Sequence, residues 1–199
     1  YCWKCGFITN VSYDRAGIQA LDQPEEVQRF TETDIAFQRK LANYLIDNFD
    51  LRSKKILEIG CGQGDFLALL CELGDNTGLG FDPAFVADRA PVLKRGELEF
   101  KRETFSIKHI NHKADFYVCK LILQDIQPVR EYVKMVRKAV GDRPEVVVFF
   151  QTLETFRILR ELAFWDIHYT NCSYFSSGSL GRLFRACGFD VLDLWTDFD

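Results

Sequence analysis

From Lys54 onward, short apolar runs alternate with stretches whose hydrophobic residues recur every three or four positions. That alternation is the pattern of a mainly parallel sheet with helices on both faces. Ile56–Ile59 predicts a strand, Phe66–Leu73 a helix and Gly78–Phe81 a second strand. A helix near Ala84–Leu93 is expected to lead into a strand over Leu98–Arg102, and Phe116–Leu121 reads as the next strand. Val129, Val133, Val136 and Val140 share one face of a helix over Val129–Val140. Glu145–Phe150 is short, β-branched and apolar, the mark of a central buried strand. A helix over Thr155–Phe164 is followed by an irregular stretch through Ser177. Helix Ser179–Cys187, stopped by Gly188, and a last strand over Val191–Trp195 end the pattern.

Upstream, a helix runs from Thr31 or Thr33 to Phe49 after a Thr/Glu cap signal, with Ile35, Leu41, Leu45 and Ile46 on its apolar face. Residues 1–30 read differently: Cys2-Trp-Lys-Cys5-Gly6, short extended pieces, and the turn-like Asp14-Arg15-Ala16-Gly17. The chain therefore divides into an N-terminal extension, 1–30, and a main domain, 31–199.

Composition narrows the class. With 199 residues, 47% hydrophobic and 27% charged, the chain buries a proper core, which excludes disorder as a description of the whole. No apolar run reaches the roughly 18–20 residues of a membrane span, so no membrane partner is expected. A net charge of -4 argues against nucleic acid as the main partner. Seven cysteines, an odd number at irregular spacings, with Cys71, Cys119 and Cys187 inside apolar patterns and no secretory signal, point to reduced thiols and a cytoplasmic location. A chain that opens on Tyr1 and has Met135 as its only methionine reads as a trimmed or internal fragment.

The chemistry concentrates where strand Ile56–Ile59 runs into Gly60-Cys61-Gly62-Gln63-Gly64-Asp65 and then a helix. A glycine-rich strand-to-helix turn lets backbone pass close to a ligand. A dinucleotide fingerprint would need a third glycine at 65, where Asp65 stands, and no Gly-Lys-Ser/Thr of a phosphate loop follows. What distinguishes the turn is an acid two residues before its first glycine, Glu58-Ile-Gly-Cys-Gly-Gln-Gly64. Downstream, Gly78-Leu-Gly-Phe81-Asp82-Pro83 puts a carboxylate at the next strand's end, where it can accept hydrogen bonds from vicinal ribose hydroxyls.

These residues resemble motif I and the second-strand acid of the class I S-adenosylmethionine (SAM) methyltransferases, over about residues 33–195. The resemblance implies an α/β, Rossmann-like, doubly wound fold with SAM as cofactor. It assigns the cofactor to Glu58, Gly60, Cys61, Gly62, Phe81, Asp82, Pro83, Glu103, Thr104, Phe105, Lys120 and Leu121. Glu58 would lie near the methionine ammonium and Asp82 on the ribose. Glu103-Thr104-Phe105 would border the adenine, and Lys120-Leu121 would face the sulfonium. Taken singly, Thr104 and Lys120 read equally well as a loop polar residue and a solvated lysine.

A narrower likeness to deoxysugar C-methyltransferases rests on Trp165-Asp-Ile-His-Tyr-Thr-Asn-Cys-Ser-Tyr-Phe175 and on Cys2-Trp-Lys-Cys5-Gly6-Phe7. Aligned on Ser173-Tyr174-Phe175, the group's catalytic glutamate and histidine are Thr170 and Asn171 here, and neither is a base near neutral pH. The Glu-His that the group carries after the fourth strand is Gln124-Asp125. Cys2-x-x-Cys5 then reads as the remnant of a zinc-binding domain. A closed zinc site needs four ligands and no second pair follows, so no metal is expected in this chain.

Candidate catalytic residues are His168 and Tyr169, after the fifth strand. His168 reads as a base for an attacking atom or as a loop histidine near Trp165. Asp125 reads as a substrate-orienting acid or a helix-start acid, and His109 and His112 as solvated residues of a polar connector. The expected function is methyl transfer from SAM to a small-molecule acceptor, a sugar or other secondary metabolite. A SAM-binding scaffold without turnover is the alternative, and a nicotinamide dehydrogenase is disfavoured by Asp65. The sequence leaves the acceptor atom and the oligomeric state open.

Overall fold

The computed structural model describes residues 1–14 and 31–197. In chain order its elements are β1 (Ile8–Thr9), α1 (Glu32–Phe49), β2 (Lys55–Ile59), α2 (Asp65–Gly74), β3 (Thr77–Phe81), β4 (Glu97–Lys101) and β5 (Phe116–Lys120). They continue with α3 (Val129–Val140), β6 (Val147–Gln151), α4 (Thr155–Glu161), β7 (Ser173–Tyr174) and α5 (Ser177–Ala186). The chain forms two bodies, one of Glu25–Lys120 with Ala139–Phe150, the other of Tyr1–Pro24, Leu121–Lys138 and Gln151–Asp199.

The first body holds a five-stranded sheet in the order β4-β3-β2-β5-β6. β2 is parallel to both β3 and β5, with Glu58 opposite Gly80 on one side and Val118 on the other. β3 is parallel to β4. One face of β2 and β5, through Ile56, Phe116 and Val118, packs on Leu41, Leu45 and Ile46 of α1 and on Phe66, Leu67 and Leu70 of α2. Each such buried Leu or Phe is worth about 1.5–3 kcal/mol, against tenths of a kcal/mol per residue from helix propensity, so burial sets where α1 and α2 lie. On the other face the buried Tyr117 donates its hydroxyl to the Ala139 carbonyl at the end of α3. Helical residues thus lie on both faces, α1 and α2 on one and the end of α3 on the other.

Local chemistry fixes the ends of these elements. Thr31 caps α1 reciprocally with Asp34: the Thr31 hydroxyl accepts from the Asp34 amide, and Asp34 Oδ2 accepts from the Thr31 amide. Buried Asn76 donates to the carbonyls of Leu51 and Leu70 and accepts from the Lys54 amide. That side chain ties the end of α2 to the start of β2, the strand that carries the glycine turn.

In the second body β1 pairs antiparallel with β7, Ile8 opposite Tyr174 and Thr9 opposite Ser173. Phe7 packs its ring on Phe175 at 5.4 Å, and Arg182 donates to the Lys4 carbonyl. Residues 1–14 are thus built onto the 172–182 segment. The turn expected over residues 14–17, beyond Asp14, and the domain boundary at residue 30 lie outside the described residues. Ser176 caps α5 with Ser179, and Gly188 follows the helix with φ +85°.

Four expectations are corrected. No α-helix forms over Ala84–Leu93: only a short 3-10 turn, Ala87–Arg89, is present. Pro91 has no amide to donate and forces Ala90 to extended backbone, φ -57° and ψ 134°. The apolar run at Glu145–Phe150 becomes β6 at the edge of the sheet, every residue only half-buried, because its hydrophobicity reports burial but not neighbours. Residues 191–197 form no strand; a period-two pattern supplies faces, whereas a strand also needs a ladder partner. Ile35 is 50% exposed rather than core, because α1 is buried only through Leu41, Ala42, Leu45 and Ile46. No helix among the described residues is long and apolar enough to cross a membrane.

Candidate cofactor site

At the C-terminal end of β2 the chain turns through Gly60, Gly62 and Gly64, all with positive φ, before entering α2. Gly64 is the residue before α2, with φ +88°, and a Cβ there would collide with the Phe100 ring. Phe100 is itself stacked on Phe85 at 4.3 Å, so the ring has little room to retreat. Gly62, φ +56°, is different: a Cβ there would meet nothing within 4 Å. The turn is pressed tightly against the sheet at one glycine and open at another.

The turn is sewn to β3. The carbonyl of Phe81 accepts from the amides of Gly60 and Cys61, at 2.8 and 3.2 Å. Asp82 Oδ2 accepts from the Gly62 amide at 2.9 Å, and its Oδ1 from the Ala84 amide at 2.8 Å. Each oxygen keeps a further lone pair. Gln63 completes the seam, donating to the Ala84 carbonyl and accepting from the Val86 amide. Sequence reasoning missed Gln63 and Phe100. Gln63 stood inside the motif itself, but a single sequence does not tell a loop spacer from a tether.

Glu58 and Lys120 form the charged part. Glu58 is 2% exposed, and its Oε2 has no hydrogen-bond partner among the described residues. Burial pushes its carboxyl up to about 8; Lys120 and the Leu67 amide oppose the rise, while Asp65 and Asp82 add to it. Lys120 sits with Nζ 3.6 Å from the centroid of the Phe66 ring, and burial lowers it to about 8 against the pull of Glu58. The charge expected on Glu58 therefore depends on cations close to it. Burial holds the nearby Cys61 thiol far above its ordinary range and pushes Cys71 up to about 12. Beside the start of α2, Ile35, Gln38, Asp65 and Leu69 line a cleft of about 220 Å3.

The other cofactor candidates divide by orientation. Phe81 and Phe105 bury their rings against each other at 5.2 Å, so Phe81 meets the turn through its carbonyl alone. Pro83 and Thr104 are exposed. Glu103 is exposed, and its Oε2 lies 3.2 Å from His109 Nε2. His109 is buried rather than solvated: its Nδ1 accepts from the Ser106 amide at 3.0 Å and its ring lies 4.8 Å from Phe81. That acceptance leaves the proton on Nε2, directed at Glu103. The polar run around His109 carried no sequence signal of this burial. Leu121, in the second body, is 41% exposed with φ +51°, and its amide donates to the Gln151 carbonyl.

The catalytic candidates lie in the second body. His168 is exposed, and its carbonyl accepts from the Tyr174 hydroxyl at 3.3 Å. Tyr169, 53% exposed, donates its hydroxyl to the Ser12 carbonyl. Burial raises Asp125 to about 6, and the His168 charge opposes that rise. Asn171 is buried and donates to the Asp166 carbonyl, a structural task. Among the described residues no three His, Cys, Asp or Glu side chains gather into a metal site; Cys2 and Cys5 are free thiols.

Comparison with known proteins agrees with this geometry. A family model described as "Methyltransferase domain" matches residues 27–194. A curated relative, ribosomal RNA small subunit methyltransferase A of Mesomycoplasma hyopneumoniae, is 27% identical over 123 residues. That match covers 53% of this chain and 46% of the relative, so the chain spans about half the length of the curated protein it matches. Two solved structures share the fold. The 1,6-didemethyltoxoflavin-N1-methyltransferase of Burkholderia thailandensis, with S-adenosylhomocysteine (SAH) bound, has a TM-score of 0.54 and 16% identity over 81% of this chain and 71% of that one. The magnesium protoporphyrin IX methyltransferase of Synechocystis PCC 6803, also with SAH, has a TM-score of 0.56 and 12% identity over 83% of this chain and 80% of that one. The chain belongs to the methyltransferase domain family, with the Rossmann-like α/β fold and S-adenosylmethionine as the family's cofactor.

Proposed function

We propose that the chain is a cytoplasmic methyltransferase that uses SAM to methylate a small-molecule acceptor, a sugar or other secondary metabolite. The observation that carries this reading is the Gly62–Asp82 bond, which joins the glycine turn to the acid on the next strand. The residues present fit the cofactor. Glu58 Oε2 is a buried acceptor awaiting a donor, Gly62 leaves open the space a side chain would fill, and Asp82 keeps a lone pair on each oxygen.

When bound, SAM supplies an electrophilic methyl group on a sulfonium that leaves as a neutral thioether. Glu58 would meet the amino group, the turn at Gly60, Cys61 and Gly62 the methionine and ribose, and Asp82 the ribose hydroxyls. Glu103, steadied by His109, would border the base. His168 and Tyr169 are the acceptor-side candidates. None of the seven cysteines is in a disulfide, which suits a reducing compartment. The net charge of -4 favours a small acceptor over nucleic acid.

The similarity to a ribosomal RNA methyltransferase supports RNA as a second reading. Methyl-labelled SAM, incubated with the chain and either a metabolite extract or ribosomal RNA, separates the two. Label in small molecules supports the proposal and label in RNA supports the second reading. No transfer despite SAH binding would make the chain a SAM-binding scaffold.

A further inference from the structure

Helix α4 buries only Thr155 and Ile158. Its other two large apolar side chains, Phe156 and Leu159, are neighbours three positions apart, and each is more than half exposed. Leu162, Phe164, Trp165 and Ile167 follow, all exposed to a similar degree. The segment after the helix is folded back onto it: the Ala163 amide donates to the Ile158 carbonyl at 3.0 Å, and Arg157 pairs with Asp166. The rings of Phe164 and Trp165 meet at 5.4 Å. Six large apolar side chains of the second body are thus gathered in water. A solitary one such as Val92 is ordinary on a protein surface, whereas a cluster marks a contact.

We infer that a second copy of the chain docks on this face, patch against patch about a two-fold axis. Size is the first reason. Three aromatic and three aliphatic side chains, each more than half in water, offer on the order of 600–800 Å2 of apolar surface. A stable interface takes about 800 Å2 from each partner, so one such face supplies nearly the whole of one side. Charge is the second reason. Arg157 pairs with Glu161 and Asp166, and Arg160 with Glu161, so two arginines and two acids cancel beside the patch. No surplus charge is left there to draw a nucleic acid, an acidic protein or an anionic membrane. Two neutral, apolar faces of one kind meet without repulsion, and a two-fold contact uses the same surface on both copies.

Sedimentation velocity on the full chain, from micromolar to hundred-micromolar concentrations, tests the contact. A species of twice the chain's mass is expected, dissociating on dilution. Leu159→Glu combined with Phe164→Glu sets like charges against each other across the axis and should sediment as a monomer at every concentration, with urea unfolding as the control for fold. Trp165→Ser, which removes one exposed ring and adds no charge, should raise the dimer dissociation constant at least about tenfold. Val92→Glu, outside the patch, should leave the dimer unchanged. A wild type that stays monomeric throughout overturns the inference and leaves the face to another partner. A dimer that survives the double substitution, or that Val92→Glu weakens as much as Trp165→Ser does, also overturns it.

Discussion

The Gly62 amide donates to Asp82 Oδ2 at 2.9 Å, so the acid at the end of β3 holds the glycine turn at the end of β2 in place. Asp82 thus shapes the turn while each of its oxygens keeps a further lone pair. Replacing it by alanine removes two amide bonds to a carboxylate, each worth about 1.5–3 kcal/mol at most and less at a half-buried position. Asp82→Ala is expected to lower SAH affinity at least tenfold, and Asp82→Asn, which keeps one acceptor oxygen, less. Calorimetry on both variants, with urea unfolding as the control for fold, checks the order.

The glycines of the turn should fail in different ways. Gly64→Ala places a Cβ against the stacked Phe100 ring and strains φ, an expected loss of about 2–4 kcal/mol in urea unfolding. Gly62→Ala meets no atom and carries strain alone, about 1–2 kcal/mol. Its Cβ points into open space, so its effect on SAH affinity should exceed its effect on stability.

His109 should behave as a core residue. His109→Ala leaves the Ser106 amide without its acceptor and opens space beside Phe81 and Phe105, at an expected cost of about 2–4 kcal/mol. A solvated histidine would cost almost nothing. The shift in urea midpoint tells the two apart.

The buried pair sets a pH dependence with a definite sign. Glu58 is held up at about 8, so the folded chain binds the extra proton and this contribution to stability falls as pH rises from the ordinary carboxyl range to about 8. Lys120 is held down at about 8, so its contribution falls as pH drops from the ordinary lysine range to about 8. Together they give a minimum near pH 8. Compared with wild type, Glu58→Gln should flatten the acid side of that minimum and Lys120→Met the alkaline side, in urea unfolding over roughly pH 5–10.

The sequence carried the frame of the first body well. β2, α2, β3 and β5 emerge within a residue or two of their patterns because burial, turn glycines and helix caps are local signals. The same locality explains the misses. Pro91 outweighs the helical look of Ala84–Leu93 through a single missing amide, and Val191–Trp195 has a strand's pattern without a strand's partner. The site follows the same division. The seam between the glycine turn and Asp82 joins residues that the sequence singles out by fixed spacings. Gln63, Phe100 and His109 act through residues some 20 to 40 positions away or through a fold of the connector, and no spacing records that.

Equilibrium dialysis of tritiated SAM against the full chain, challenged in turn with SAH and NAD, tests the central claim most directly. The account predicts saturable binding of one equivalent, displaced by SAH and untouched by NAD. Absence of saturable binding, or displacement by NAD as effective as by SAH, would contradict it.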